Sequence, residues 1–161
     1  MKQRKGFTLI ELLVVIAIIG ILSTLAVVAL NNARAKSRDA KRVADIKQIQ
    51  TAMELRFADL DGYPVGAGIV LGSTGTPASD LTCLDGSTAG FVIAADCGDA
   101  SATVYMGQVP PNPGPNGTAY TYTAVAGTNG QADSYTLTFT LEGQTGGLPL
   151  GLRTASQGGI Q

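Results

Sequence analysis

The hydrophobic positions of this chain follow three different patterns in succession. From Leu12 to Ala33 there is no charged residue and no polar face. At about 1.5 Å per residue, a helix over this run spans about 30 Å, the thickness of a bilayer's hydrocarbon core. Then a period appears. Val43, Ile46, Ile49, Met53, Phe57 and Leu60 recur at spacings of 3, 3, 4, 4 and 3, which is the stripe of an amphipathic helix lying on a core. No proline occurs from Met1 to Tyr63, and Asp61-Gly62 followed by Pro64 supplies a stop. These patterns predict one helix from about Thr8 to Leu60. Its first half meets lipid or other apolar helices, and its second half lies under a sheet.

The third pattern has period two. Tyr120, Tyr122 and Ala124 alternate with threonines and Val125, and "SYTLTFTLEG" places Tyr135, Leu137, Phe139 and Leu141 on one face and Thr136, Thr138 and Thr140 on the other. Two antiparallel strands joined by "AGTNGQAD" follow from this, packed over the helix. Residues 62–103 are the least regular. Their short apolar runs "GIVLG" and "GFVIAA" read as strands or as packed loop. The last stretch, 144–161, is expected to be a flexible end. The fold class is α+β, a long N-terminal helix against a small antiparallel sheet. The segments are 1–6, a basic leader; 7–33, the apolar helix; 34–61, the amphipathic helix; 62–143, the head; and 144–161, the tail.

Charge is segregated along the chain. Residues 1–6 carry Lys2, Arg4 and Lys5; residues 34–56 carry seven bases against Asp39, Asp45 and Glu54; residues 57–161 carry eight acids and only Arg153. The acidic far end argues against nucleic acid as a partner. The basic middle faces anionic headgroups, the acidic surface of a neighbouring copy, or plain solvent. There is no histidine, which removes Ser-His-Asp triads and Cys-His nucleophiles and leaves a membrane-anchored enzyme poorly supported. Cys83 and Cys97 read as one disulfide closing a loop in an oxidising compartment, two buried free thiols being the alternative.

The N-terminus raises a sharper question, because Glu11 stands at the entry to the apolar run. A secretory signal has an apolar core of about 7–15 residues and a small-residue cleavage site after it. Here the core is longer, and "NNARAKS" after it is basic. The three bases ahead of the run predict the N-terminus inside. A carboxylate at membrane depth costs a few kcal/mol unless it is protonated or finds a partner.

The string "KGFTLIELLVVIAIIGILSTLA" resembles the prepilin N-terminus of type IV pilins and of the pseudopilins of type II secretion systems. Its basic leader, its Gly6-Phe7 junction and the glutamate of "TLIE" carry the resemblance. "GYP…VPPNP…YTYT…DSYTLTFTLEG" is similar to the C-terminal half of such proteins, more loosely. The resemblance implies a pilin-like fold and a structural, non-enzymatic subunit without a cofactor. It implies cleavage between Gly6 and Phe7 by a prepilin peptidase, and N-methylation of the new Phe7 amine. Glu11 of an incoming subunit would pair with the Phe7 amine of the one before it.

The implied partners are further copies and related pilins, an assembly ATPase and a membrane platform protein. The subunit would sit in the inner membrane, head outside, and then in a filament serving secretion, adhesion, motility or DNA uptake. A minor subunit that binds or primes is the alternative. Pseudopilins of this kind often hold calcium, for which Asp80, Asp85, Asp96 and Asp99 are the candidate oxygen donors, without a clear ligand spacing. Many relatives have a proline in the membrane helix; here only Gly20 and Ser23-Thr24 weaken it. Asn116-Gly117-Thr118 fits both a glycosylation sequon and a turn.

Overall fold

A computed structural model describes residues 7–72, 81–99, 102–127 and 130–161. The leader, with Gly6, and Asp80 lie outside the described residues. Helix α1 runs Leu9–Leu60, 52 residues, within a residue of the expected start and at the expected end. Thr8 caps it. The Thr8 hydroxyl accepts the Glu11 N–H at 3.3 Å, and the Glu11 carboxylate accepts the Thr8 N–H at 2.8 Å, a reciprocal capping box. The helix stops where Asp61 turns left-handed, φ 53°, and donates its N–H to the Phe57 carbonyl at 2.8 Å.

The chain divides into two units, 1–35 and 36–161. In the first, every described residue from Phe7 to Arg34 is exposed. An 18-residue window there has a mean hydropathy of 3.0. A surface that apolar is not stable in water and calls for lipid or other helices.

In the second unit the rest of α1 packs on a sheet of eight strands: β1 (Ile69–Leu71), β2 (Leu81–Asp85), β3 (Phe91–Ile93), β4 (Val104–Met106), β5 (Tyr120–Ala126), β6 (Ala132–Leu141), β7 (Gly151–Ser156) and β8 (Gly159–Ile160). Their order is β3-β2-β1-β5-β6-β7-β8, with β4 also paired to β2. All pairings are antiparallel except β1 with β2, which meet in parallel at Leu71 and Leu81. Both short apolar runs that sequence left open are strands, β1 and β3.

The β5–β6 hairpin forms as the alternation predicts, Tyr122 opposite Leu137 and Ala124 opposite Tyr135. Ile46, Ile49 and Met53 of α1 meet Tyr120, Tyr122, Tyr135, Leu137 and Phe139 in one core, all at most 1% exposed. Two aromatic pairs tie β5 and β6 to their neighbours: Tyr63 stands edge-on to Tyr135 and Phe91 is tilted against Tyr122, with ring centres 4.7 and 5.1 Å apart. Leu60, the last residue of the expected stripe, stays partly exposed at 36%, because the helix ends there.

One expectation fails. The end of the chain is not a flexible tail. β7 pairs with β6 at five positions, and β8 folds back on β7. The reason is β6 itself: its second edge carries backbone donors and acceptors that need partners once its inner face is buried. "LRTAS" sends little apolar surface inward, only Ala155 being buried, so its period-two signal is faint.

Removing residues 151–161 is expected to lower the head's stability by about 2 kcal/mol or more, because it frees an edge of β6 and uncovers Phe139. Thermal unfolding followed by circular dichroism checks this; an unchanged Tm would mean that the tail is dispensable.

Candidate functional site

The sequence placed the functional chemistry at Gly6, Phe7 and Glu11. Gly6 lies outside the described residues. Phe7 is 81% exposed. Glu11 is not an unpartnered charge in the single chain: its Oε2 accepts the Thr8 hydroxyl at 2.7 Å as well as the Thr8 N–H. This partner was missed, although "TLIE" spells the Thr-x-x-Glu capping signature. The local role and the expected role share one carboxylate. Thr8 holds it at the helix's first turn, where the unpaired N–H groups favour negative charge.

The basic segment departs from expectation more strongly. Arg42 and Arg56 are fully buried; Arg34, Lys36, Lys41 and Lys47 are the exposed bases of the group. So it is not one solvated or lipid-facing surface. Arg42 donates to Asp39 Oδ1 at 2.6 Å, to Asn112 Oδ1 at 2.7 Å and to the Pro113 carbonyl at 3.0 Å. It also donates to the Asn116 carbonyl and pairs with Glu142 Oε1 at 2.7 Å. Arg38 holds the same glutamate from the other side, Nε to Oε1 at 2.7 Å and Nη2 to Oε2 at 2.5 Å. Asp39 in turn accepts the N–H groups of Glu142 and Gly143 at 3.0 and 2.8 Å. Two acids and two bases thus close a neutral cluster that clamps the β6–β7 turn and the 112–116 loop to α1.

The Arg38 hydrogen bonds hold the Glu142 carboxyl well below its ordinary value, outweighing burial, and those from Asn116 and Arg42 add to the effect. Gly117 completes the cluster: at φ 98° it has a backbone that favours glycine, and a Cβ there would meet Arg42 Nη2 at 2.9 Å.

Among the described residues Arg56 has no carboxylate as a hydrogen-bond partner. It donates to the carbonyls of Gly62 (2.5 Å), Asp85 (3.2 Å) and Ser87 (3.0 Å), and to Gln131 Oε1. Burial lowers its pKa. A signal for both buried arginines was present. Positions 42, 46, 49, 53 and 56 follow each other at 4, 3, 4 and 3, so both arginines fall on the buried stripe.

Cys83 and Cys97 are joined, as expected, their Cα atoms 5.7 Å apart. The described aspartates beside them, Asp85, Asp96 and Asp99, stand in different settings. Asp85 is buried and accepts the N–H groups of Ser87 and Gly98 at 3.0 and 3.2 Å. Asp96 and Asp99 are exposed. Among the described residues no three His, Cys, Asp or Glu gather in a metal-holding arrangement. Of the calcium candidates Asp80 lies outside the described residues, and Asp85 is held by the loop's own backbone N–H groups. Asn116 lies in a bend and donates its side-chain amide to Glu142 Oε2 at 2.9 Å.

The long capped helix, its strongly apolar first half and the sheet over its second half define a pilin-like α+β arrangement. The comparisons agree with that class. Residues 1–27 match the prokaryotic N-terminal methylation motif. The chain is 40% identical over 103 residues to a type IV major fimbrial protein, FimA, of Dichelobacter nodosus, covering 63% of this chain and 61% of that one. It is 43% identical over 54 residues to a fimbrial protein of Pseudomonas aeruginosa, covering 34% of this chain and 35% of that one. It is 38% identical over 63 residues to the type II secretion system core protein G of Aeromonas hydrophila, covering 39% and 44%. The chain thus spans about three fifths or less of the length of these relatives. No solved structure matches it.

Glu142→Gln is expected to destabilise the head by about 2 kcal/mol at neutral pH, since it leaves Arg42 buried with one carboxylate fewer. The native carboxylate's contribution is present above the ordinary glutamate value of 4.5 and fades as pH falls below it, because its folded pKa is depressed. Urea unfolding from pH 7 downward checks both. The variant's stability should fall less steeply than the native protein's as acid is added.

Proposed function

We propose that this chain is a structural subunit of a type IV filament, cut between Gly6 and Phe7, N-methylated at Phe7, and polymerised out of the inner membrane. One observation carries the reading: residues 7–33 are exposed and predominantly apolar, with no charge from Leu12 to Ala33, and the one charge ahead of that run, Glu11, sits one turn from the proposed cut, inside the segment that matches the methylation motif. Such a helix is held in lipid with the N-terminus inside and the head outside. It leaves the bilayer when an equivalent apolar surface, that of its neighbours in a bundle, replaces the lipid.

Cleavage gives each Phe7 a cationic amine. Glu11 then exchanges its Thr8 contacts for the amine of the preceding subunit, and correct axial register is the arrangement that leaves no charge alone. The processing enzyme is a prepilin peptidase, and force comes from an assembly ATPase acting through a membrane platform protein. The subunit's own role is mechanical rather than catalytic. The relatives named as fimbrial and secretion-system proteins support filament building in either setting, pilus or secretion pseudopilus.

Glu11→Ala is expected to insert and be processed normally and to yield less than about a tenth of the native filament. Mass spectrometry of sheared filaments reads both, through the share of chains beginning at methylated Phe7 and the amount recovered. Native filament yield from this variant would refute the pairing, and a native chain still carrying Met1–Gly6 would refute the processing.

A further inference from the structure

Most of the head's exposed charges are sorted end to end, with Lys47 and Glu54 on the helix between the two ends. Arg38 and Arg42 are neutralised by Asp39 and Glu142, which leaves Lys36 and Lys41 as the exposed charges of the head's first helical turns. The exposed acids Asp59, Asp61, Asp96, Asp99 and Asp133 lie at the other end. Asp59 and Asp61 flank the helix terminus, and the bridge of Tyr63 with Ala132 brings Asp133 there. Asp85, joined to Arg56 through its carbonyl and to Gly98 through its carboxylate, brings the segment with Asp96 and Asp99. From Lys36 to Asp59 the helix rises about 35 Å.

The basic end also carries apolar side chains that the core does not use. Glu142 and Gly143 bond Asp39, and Gly151 pairs with Leu141, so the start of β7 belongs to this end. There Leu150 and Leu152 are 68% and 63% exposed. Along the chain Lys36 follows three residues after Ala33, the last of the uncharged run.

We propose that the basic end of the head docks on an anionic phospholipid surface. Lys36 and Lys41 meet lipid phosphates, Leu150 and Leu152 enter the interface, and the acidic end points away. This rests on the membrane reading given above. Basic residues gain from an anionic surface and acids lose, so the sorted charges select one orientation. The docked head is a holding state that a subunit leaves when it joins a filament.

The chain contains no tryptophan, so single reporters can be introduced. Leu150→Trp, Val104→Trp at the acidic side, where Val104 stands opposite Asp85, and Leu22→Trp in the apolar run are each placed in the full chain. The variants are reconstituted in vesicles of brominated phosphatidylcholine with or without an equal part of phosphatidylglycerol. The Leu150 reporter should be quenched and blue-shifted in the anionic vesicles, and the Val104 reporter should not. Replacing Lys36 and Lys41 with Gln should reduce the docked-to-undocked ratio about five-fold for each lysine, and 0.5 M salt should release the head. Quenching at Leu22 with none at Leu150 overturns this inference and leaves the membrane reading intact; no quenching at Leu22 overturns both. A Leu150 signal that follows the protein-to-lipid ratio and ignores lipid charge overturns it too, and assigns this end to the acidic end of a second copy.

Discussion

The Arg42 guanidinium is cut off from water, and a cation in that position must find all of its acceptors inside the protein. It finds them on three pieces of chain that are far apart in sequence: Asp39 on its own helix, the 112–116 loop, and Glu142 past the end of β6. Much else follows from this demand. The loop ahead of β5 is fixed, the exit of β6 is fixed, and with it the start of β7. Arg56 does the same at the far end of the helix, using carbonyls instead of carboxylates. Between the two arginines lies the apolar stripe, so the helix is held at both ends by hydrogen bonds of fixed direction and in the middle by packing. A purely apolar stripe would slide along a sheet more readily than one bounded by two polar anchors.

The helix was legible in the sequence because its evidence is redundant: an uncharged apolar run, an amphipathic stripe after it, a proline-free stretch and a stop within a residue or two of the observed end. The β5–β6 hairpin was legible because β6 is covered by the core on one face only, which produces strict alternation. The buried arginines were read as surface because charge was weighed before register. On positions 42 and 56 the two signals conflict, and register was the better guide. The strands at the chain's end escaped for the opposite reason: β7 is recruited by a backbone edge, and backbone hydrogen bonding leaves almost no mark on side-chain choice.

Glu11 shows how one residue carries two physical roles. A carboxylate at the third position of a helix, with threonine at the cap, is an ordinary local device. The same group at the mouth of an apolar run is an expensive one. The capping bonds lessen that expense while the subunit stands alone, and they also mean that a partner charge has to displace something. The pairing proposed for Glu11 would therefore be an exchange of hydrogen bonds, with a smaller net driving force than a bare buried charge would supply.

The sheet's two ends deserve the same physical reading. Its path finishes in β3, three residues, and β8, two residues. Long bare strand edges template pairing with other chains. In the filament proposed above, copies held close together would expose such edges to one another at high local concentration. Short margins confine intermolecular contact to side chains, so crowding can produce an ordered array without seeding amyloid-like growth.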